Sequence, residues 1–459
     1  MSKSSLTRIF AEQALLPDGW AANVAIEFDS HGRITNVETN AKPGGTDAGV
    51  LLPAPANLHS HAFQRAMAGM SEKRGSQSTD SFWTWRQIMF RFLDTLAPDD
   101  IEAIAAFVQM EMLESGYAAV GEFHYLHHQP GGAPYDNLAE FSERILSAAS
   151  ETGIGLTHLP VLYQFGGCDK RPLAPGQIRF GNDFDRFQKL HEMAAAALKT
   201  LPQDCALGVA PHSLRAAGTD ELMEAVSLAG SAPLHMHLAE QIAEVDEVQK
   251  ATGKRPVEWL LENHNVSKNW CLIHCTQMTT EETTALAKTG AVAGLCPITE
   301  SSLGDGIFDG VRYLGAGGAF GIGSDSNIRI SLSEELRTLE YSQRLRDRCR
   351  ASVATPEQST GRVLFEGATK GGSQALGRNS GAITKGTYAD LVGLDKTSVY
   401  LEGRHGDEIL DAYIFTGDDR MVRDVWSAGR HVVQGGKHVK GEKIRARYRN
   451  TMACLRNRL

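Results

Sequence analysis

Eight short apolar runs, three to five residues each, alternate with longer amphipathic stretches between residues 50 and 323. This alternation restricts the fold more than any other feature of the chain. The runs cover residues 50–54, 118–120, 154–156, 207–210, 233–237, 271–274, 291–295 and 319–323. Helical patterns lie between them. Ile101, Ile104, Ala105, Val108 and Met112 share one helical face, with Asp99 or Asp100 placed to cap its start. Comparable patterns run over 137–152, 183–199, 220–229, 256–263 and 280–288. Eight buried strands alternating with helices are the pattern of an α/β chain closed into a (β/α)8 barrel; an open doubly wound sheet produces a similar string.

The two ends of the chain read differently. Val24, Ile26 and Phe28 alternate with polar or small neighbours, Asp29-Ser30-His31-Gly32 makes a turn, and Ile34 and Val37 begin a return strand. Residues 389–394, 411–415 and 422–426 are also strand-like, with Gly403, Gly406, Gly417, Gly435 and Gly436 as breaks. These segments predict a small β-sandwich built from both termini, residues 1–50 and 380–459, beside a barrel at 51–379.

Among the 459 residues, Lys and Arg total 46 against 55 Asp and Glu, a net charge of −9. There is no global basic field for nucleic acid or anionic lipid, so a small anionic ligand must be met by a few local arginines. No apolar run approaches the ~20 residues that cross a bilayer, and residues 1–20 lack a basic stretch followed by an apolar one. The seven cysteines are odd in number and form no Cys-x-x-Cys pair. The expectation is a cytoplasmic protein with reduced thiols, engaging neither membrane nor nucleic acid. Cys271 and Cys275, on either side of His274, read as small strand fillers.

Polar residues gather at one end of the apolar runs. Asn57-Leu58-His59-Ser60-His61 follows the first, and in extended backbone residues two apart face the same way, so both imidazoles can reach one ion. His235-Met236-His237-Leu238-Ala239-Glu240 ends the fifth, His274 ends the sixth, and Asp325 follows the eighth. Barrel active sites are built at the C-terminal ends of strands. Three imidazoles and a carboxylate suit a borderline cation such as Zn²⁺ with one position open for water. His235 points away from His237. His124, His127 and His128 cluster without a further ligand at a defined spacing.

His59-x-His61, His237, His274 and Asp325, in that order, resemble the amidohydrolase superfamily, and the resemblance spans nearly the whole chain. After the fourth predicted strand stands Val209-Ala210-Pro211-His212-Ser213, with no metal-bridging lysine, and Glu240 lies three residues past His237. Both features are similar to the mononuclear deaminase branch. Finer motifs, Asn57 to Arg65, Phe82-Trp83-Thr84-Trp85-Arg86, Glu122-Phe123-His124-Tyr125 and Ala210-Pro211-His212-Ser213-Leu214-Arg215, are similar to members of that branch acting on N-formimino-L-glutamate. The resemblance implies one Zn²⁺ per subunit, held by His59, His61, His237 and Asp325. It implies His274 and Asp325 as the water-activating pair and Glu240 as the proton carrier. Arg86 and Arg215 would then match the two carboxylates of an anionic amidine, with Gln64, Tyr125 and His212 as neutral partners. Arg65 reads as a structural ion pair.

Two other readings remain open from the sequence. A purine, pterin or chlorohydrolase member of the same branch would share the metal site but bind a flat neutral ring. A non-catalytic barrel serving as an assembly subunit would show missing ligands, and none is missing here. A homodimer is the expected assembly.

Overall fold

The computed structural model describes residues 7–73 and 82–458, apart from the side chains of 82–84, so part of the Phe82-Trp83-Thr84 motif lies outside the described residues. The N-terminal strands are β1 (Thr7–Leu16), β2 (Gly19–Phe28), β3 (Ile34–Glu38), β4 (Thr46–Asp47) and β5 (Val50–Pro53). β6 (Ala56–Ser60), β7 (Ala119–His124) and β8 (Gly155–Leu162) come next, then the short pair β9 (Ala206–Leu207) and β10 (Ala210–Pro211). They are followed by β11 (Leu234–Leu238), β12 (Trp270–His274), β13 (Val292–Leu295) and β14 (Ala319–Ile322). The chain ends with β15 (Leu391–Leu394), β16 (Val422–Ser427), β17 (Arg430–Gln434), β18 (Lys437–His438) and a helix at Gly441–Arg456.

β6 to β10 pair in parallel as one arc, and β11 to β14 as a second. Parallel bridges Val209↔Leu234 and Ser60↔Asp325 join the arcs at both seams. The eight strand positions therefore close into a (β/α)8 barrel, and the open-sheet alternative is excluded. All residues of β6, β7, β8, β11, β12 and β13 are buried, as parallel strands covered by helices must be. Five of the helical patterns map onto Glu140–Thr152, Phe184–Leu198, Thr219–Ala229, Pro256–Asn263 and Thr280–Ala287, and the sixth onto Pro98–Glu114. In that helix Ala97 is the N-cap, and Asp100 contributes by accepting the Ala97 N–H at 3.0 Å.

Both termini do build one β unit. Its nine strands hydrogen-bond in the order β18-β17-β16-β15-β5-β1-β2-β3, with β4 on β1. The run at 50–54 is a correction: β5 pairs with β1 and β15 in this sheet, and the first barrel strand is β6. A short apolar run carries no mark of which sheet will bury it. Residues 411–415 are a second correction. They lie in the helix Asp407–Asp411 and a π-helical turn, Ala412–Thr416, not in a strand. Ala412, Tyr413 and Ile414 are all buried, and a run buried on every face has no period to separate the two states.

The sheet and the barrel are fastened by a buried ion cluster. Arg378 bonds Asp390 at 2.6 and 2.9 Å and Asp204 at 3.0 Å, and Arg430 bonds Asp204 at 2.6 and 2.8 Å. Arg65 bonds Glu111 through two nitrogens, each at 2.8 Å. Among the described residues, no helix is long and apolar enough to cross a membrane.

Candidate active site

The C-terminal ends of β6, β11, β12 and β14 converge on one point. β14 approaches β6 because Gly323 has no side chain; a Cβ there would lie 2.8 Å from the His59 carbonyl oxygen. Asp325 N–H then donates to His59 O, and His61 N–H to Asp325 O, both at 3.0 Å. Asn57 and Ser324 lock the same seam, the Asn57 amide donating to Ser324 Oγ at 2.7 Å and accepting the Ser324 N–H at 3.1 Å. Five non-glycine residues here adopt positive φ: Ala239 at 51°, His274 at 71°, Cys275 at 52°, Asp325 at 46° and Asn327 at 53°. Such backbone costs free energy, and its concentration at one end of the barrel marks a built site.

Ligand atoms of His59, His61, His237 and Asp325 all lie within 4.8 Å of one another, and all four residues are buried. His59 Nε2 stands 3.1 Å from His237 Nε2, and His61 Nε2 stands 3.2 Å from Asp325 Oδ1. His61 Nδ1 donates to Phe123 O at 2.8 Å and His237 Nδ1 to His212 O at 3.2 Å, which leaves their Nε2 lone pairs pointing inward. Burial drops the pKa of His59 to about 3 and that of His237 well below the ordinary value, so both are neutral, as ligands must be. Burial alone would raise Asp325, but the neighbouring His59, His61 and His274 outweigh this and hold its pKa well below the ordinary value. Lone pairs converging on a carboxylate repel unless a cation lies between them, so these residues fit a divalent ion. The cluster of His124, His127 and His128 forms no ligand set among the described residues; His127 and His128 are spent on the carbonyls of Val161 and Gly181.

His274 sits beside this group. Its Nε2 faces Glu240 Oε1 and Asp325 Oδ2, each at 3.7 Å, and its Nδ1 faces Glu300 Oε1 at 3.3 Å. Burial opposes charge on His274, yet Glu240, Glu300 and Asp325 together raise its pKa well above the ordinary value. Burial raises the pKa of Glu240, against the pull of His274. Both Glu244 carboxylate oxygens accept backbone N–H groups, from Ala239 at 3.2 Å and Glu240 at 3.0 Å, which hold the turn that presents Glu240.

A small cavity opens over the group. Its lining includes His61, Gln64, Arg86, Tyr125, His212, Arg215, His237, Glu240, His274 and Asp325; His59 lies beneath. Every residue read from the sequence as a metal ligand, catalytic group or substrate contact therefore lies at this cavity or directly beneath it. Gln64 donates to Tyr125 OH at 2.8 Å, and Arg86 donates to Tyr163 OH at 2.8 Å. His212 bonds Ser213 Oγ at 3.0 Å, and burial and the charges of Arg215 and Arg86 hold it neutral. Trp85, from the motif ending in Arg86, completes the wall with Tyr163, Met89, Phe180, Leu303 and Ser326, which were not anticipated, nor was Glu300 behind His274. Tyr163 follows directly on β8, so the strand-end rule could have found it. Glu300 lies one helical turn past β13, where no spacing signals it.

Residues 50–432 match the model of the amidohydrolase family, and residues 6–49 match the formimidoylglutamate deiminase HutF N-terminal domain. The chain belongs to the amidohydrolase family. It is 47% identical over 447 residues to the formimidoylglutamate deiminase of Pseudomonas aeruginosa, covering 96% of this chain and 98% of that one. The crystal structure of an amidohydrolase from Brucella melitensis superposes with a TM-score of 0.94 at 47% identity, covering 98% of this chain and 99% of that one. A 5-methylthioadenosine/S-adenosylhomocysteine deaminase of Natronomonas pharaonis is 26% identical, covering 94% of this chain and 92% of that one.

Proposed function

We propose that this protein hydrolyses the C=N bond of N-formimino-L-glutamate, releasing N-formyl-L-glutamate and ammonia. The observation that carries this is the 47% identity to the Pseudomonas aeruginosa formimidoylglutamate deiminase, spread over almost the full length of both chains. The cavity agrees chemically: Arg86 and Arg215, two guanidiniums, share it with the candidate metal group, and this substrate has two carboxylates beside its amidine.

His59, His61, His237 and Asp325 would hold one divalent ion per subunit, zinc by the softness of the donor set, which would supply Lewis acidity and acidify a water. Around it the chain's own groups do the proton work. Asp325 and His274 orient the attacking water; Asp325 takes its proton, because the carboxylates around His274 keep that imidazole charged. Glu240, with its raised pKa, binds the amidine nitrogen and hands it a proton as ammonia leaves. Arg86 and Arg215 bind the carboxylates, with Gln64, Tyr125 and His212 completing the frame.

The kinship with that deiminase also supports a place in histidine degradation and a cytoplasmic site of action. A homodimer is part of the same reading, and light scattering at working concentration checks it.

The deciding assay is ammonia release from N-formimino-L-glutamate, beside N-formimino-L-aspartate, adenosine and guanine. High kcat/KM for the glutamate compound alone supports the reading. Turnover of a purine with none of the amidine would overturn it in favour of a ring aminohydrolase.

A further inference from the structure

Tyr163 lies in the cavity wall, 2% exposed, and its hydroxyl oxygen receives two donors. Arg86 Nη2 donates to it at 2.8 Å, and Gln177 Nε2 donates to it at 2.8 Å. The orientation of Gln177 is chemically determined, because its Oε1 accepts the Ala174 N–H at 2.8 Å, so the nitrogen must be the atom facing the phenol. Arginine can only donate. Both acceptor positions on the Tyr163 oxygen are thus filled, and its own O–H has no acceptor among the described residues. The phenol is held by its ring as well, against Phe180 at 5.6 Å and His212 at 4.6 Å between centroids. A buried hydroxyl so arranged has one use left, to donate into the cavity.

We infer that Tyr163 is a specificity-determining residue whose hydroxyl donates a hydrogen bond to a substrate carboxylate, next to the one bound by Arg86. This deepens the proposed function and rests on it. The Arg86 guanidinium supplies charge, and Tyr163 supplies a second donor of fixed direction. A carboxylate has lone pairs for both, whereas a neutral ring substrate offers no anion at this corner. Tyr163 also anchors Arg86, so its hydroxyl must be separated from that supporting role.

The test uses Tyr163→Phe in the intact enzyme, alone and combined with Arg86→Met, and three substrates. These are N-formimino-L-glutamate, N-formimino-4-aminobutyrate without the α-carboxylate, and N-formimino-2-aminobutyrate without the side-chain carboxylate. The expected result is a KM increase of about ten- to a hundredfold for Tyr163→Phe on the dicarboxylate, with a smaller change in kcat. One of the two truncated substrates should show no difference between parent and variant, which identifies the carboxylate contacted. Tyr163→Phe should still raise KM in the Arg86→Met background. An unchanged KM for the single variant, an equal effect on all three substrates, or no added effect in the double variant would each overturn the inference. A parent enzyme inactive on N-formimino-L-glutamate would overturn the substrate reading itself and this inference with it.

Discussion

His274 Nδ1 lies 3.3 Å from Glu300 Oε1, and the same oxygen accepts the Cys296 N–H at 2.8 Å. The carboxylate is thus pinned by backbone, and it fixes the imidazole with its proton on Nδ1 and Nε2 turned toward Glu240 and Asp325. Glu300→Ala should lower kcat about 10- to 100-fold while metal content stays that of the parent. Glu300→Gln keeps an oxygen for both donors and should recover much of the rate. Steady-state kinetics with elemental analysis of the same samples checks this; full activity in Glu300→Ala would show that the contact is idle.

His61→Ala should lose both metal and activity, because it removes one of four converging donors and leaves Asp325 without its closest imidazole. Chelation of the parent should abolish turnover, and added Zn²⁺ should restore it. A fully loaded, active His61→Ala enzyme would refute the ligand set.

Arg215→Met should raise KM for N-formimino-L-glutamate and cut kcat/KM by about ten- to a hundredfold, the worth of one charge-assisted bond. Arg215 is buried at the cavity wall, and methionine keeps an unbranched apolar stem without the guanidinium. Parent-like kinetics for both Arg215→Met and Arg86→Met would remove the case for a dicarboxylate.

Glu240→Gln retains shape but cannot transfer a proton, so it should keep its metal and lose at least ~100-fold in kcat. His274→Asn should behave alike. Metal loss in His274→Asn would make that histidine a ligand instead of a group that orients the water, and near-parental turnover in Glu240→Gln would leave Glu240 a supporting part only.

The clamp between barrel and sheet is open to a stability measurement. Asp204 faces both Arg378 and Arg430, and its loss leaves two guanidiniums short of a counter-charge, so Asp204→Ala should cost about 3–5 kcal/mol in denaturant unfolding. Burial pushes this carboxyl up, but Arg430 and Arg378 outweigh it and hold it below its ordinary value of 3.8. A depressed pKa contributes stability that is complete above the unfolded value and disappears as pH falls through the folded one. The gap between parent and variant should therefore be full near pH 7 and narrow below about pH 4. A gap that is constant down to acid pH would contradict the ion-pair account.

Much of this protein was legible in its residues. Period and spacing alone announced seven of the eight barrel strands, six flanking helices and the placement of His59, His61, His237, His274 and Asp325 at strand ends, because burial leaves a pattern along the chain. The resemblance to amidohydrolases then suggested their roles. Other features were decided only in three dimensions. β5 joined the terminal sheet because β1 and β15 offered it open edges, and residues 411–415 turned helical where burial of Ala412, Tyr413 and Ile414 left no period to separate helix from strand. Tyr163, Gln177 and Glu300 acquired meaning through partners 77, 14 and 26 positions away. Hydrogen-bond direction at such distances depends on how the strands close around the cavity, and no local stretch of sequence encodes that closure.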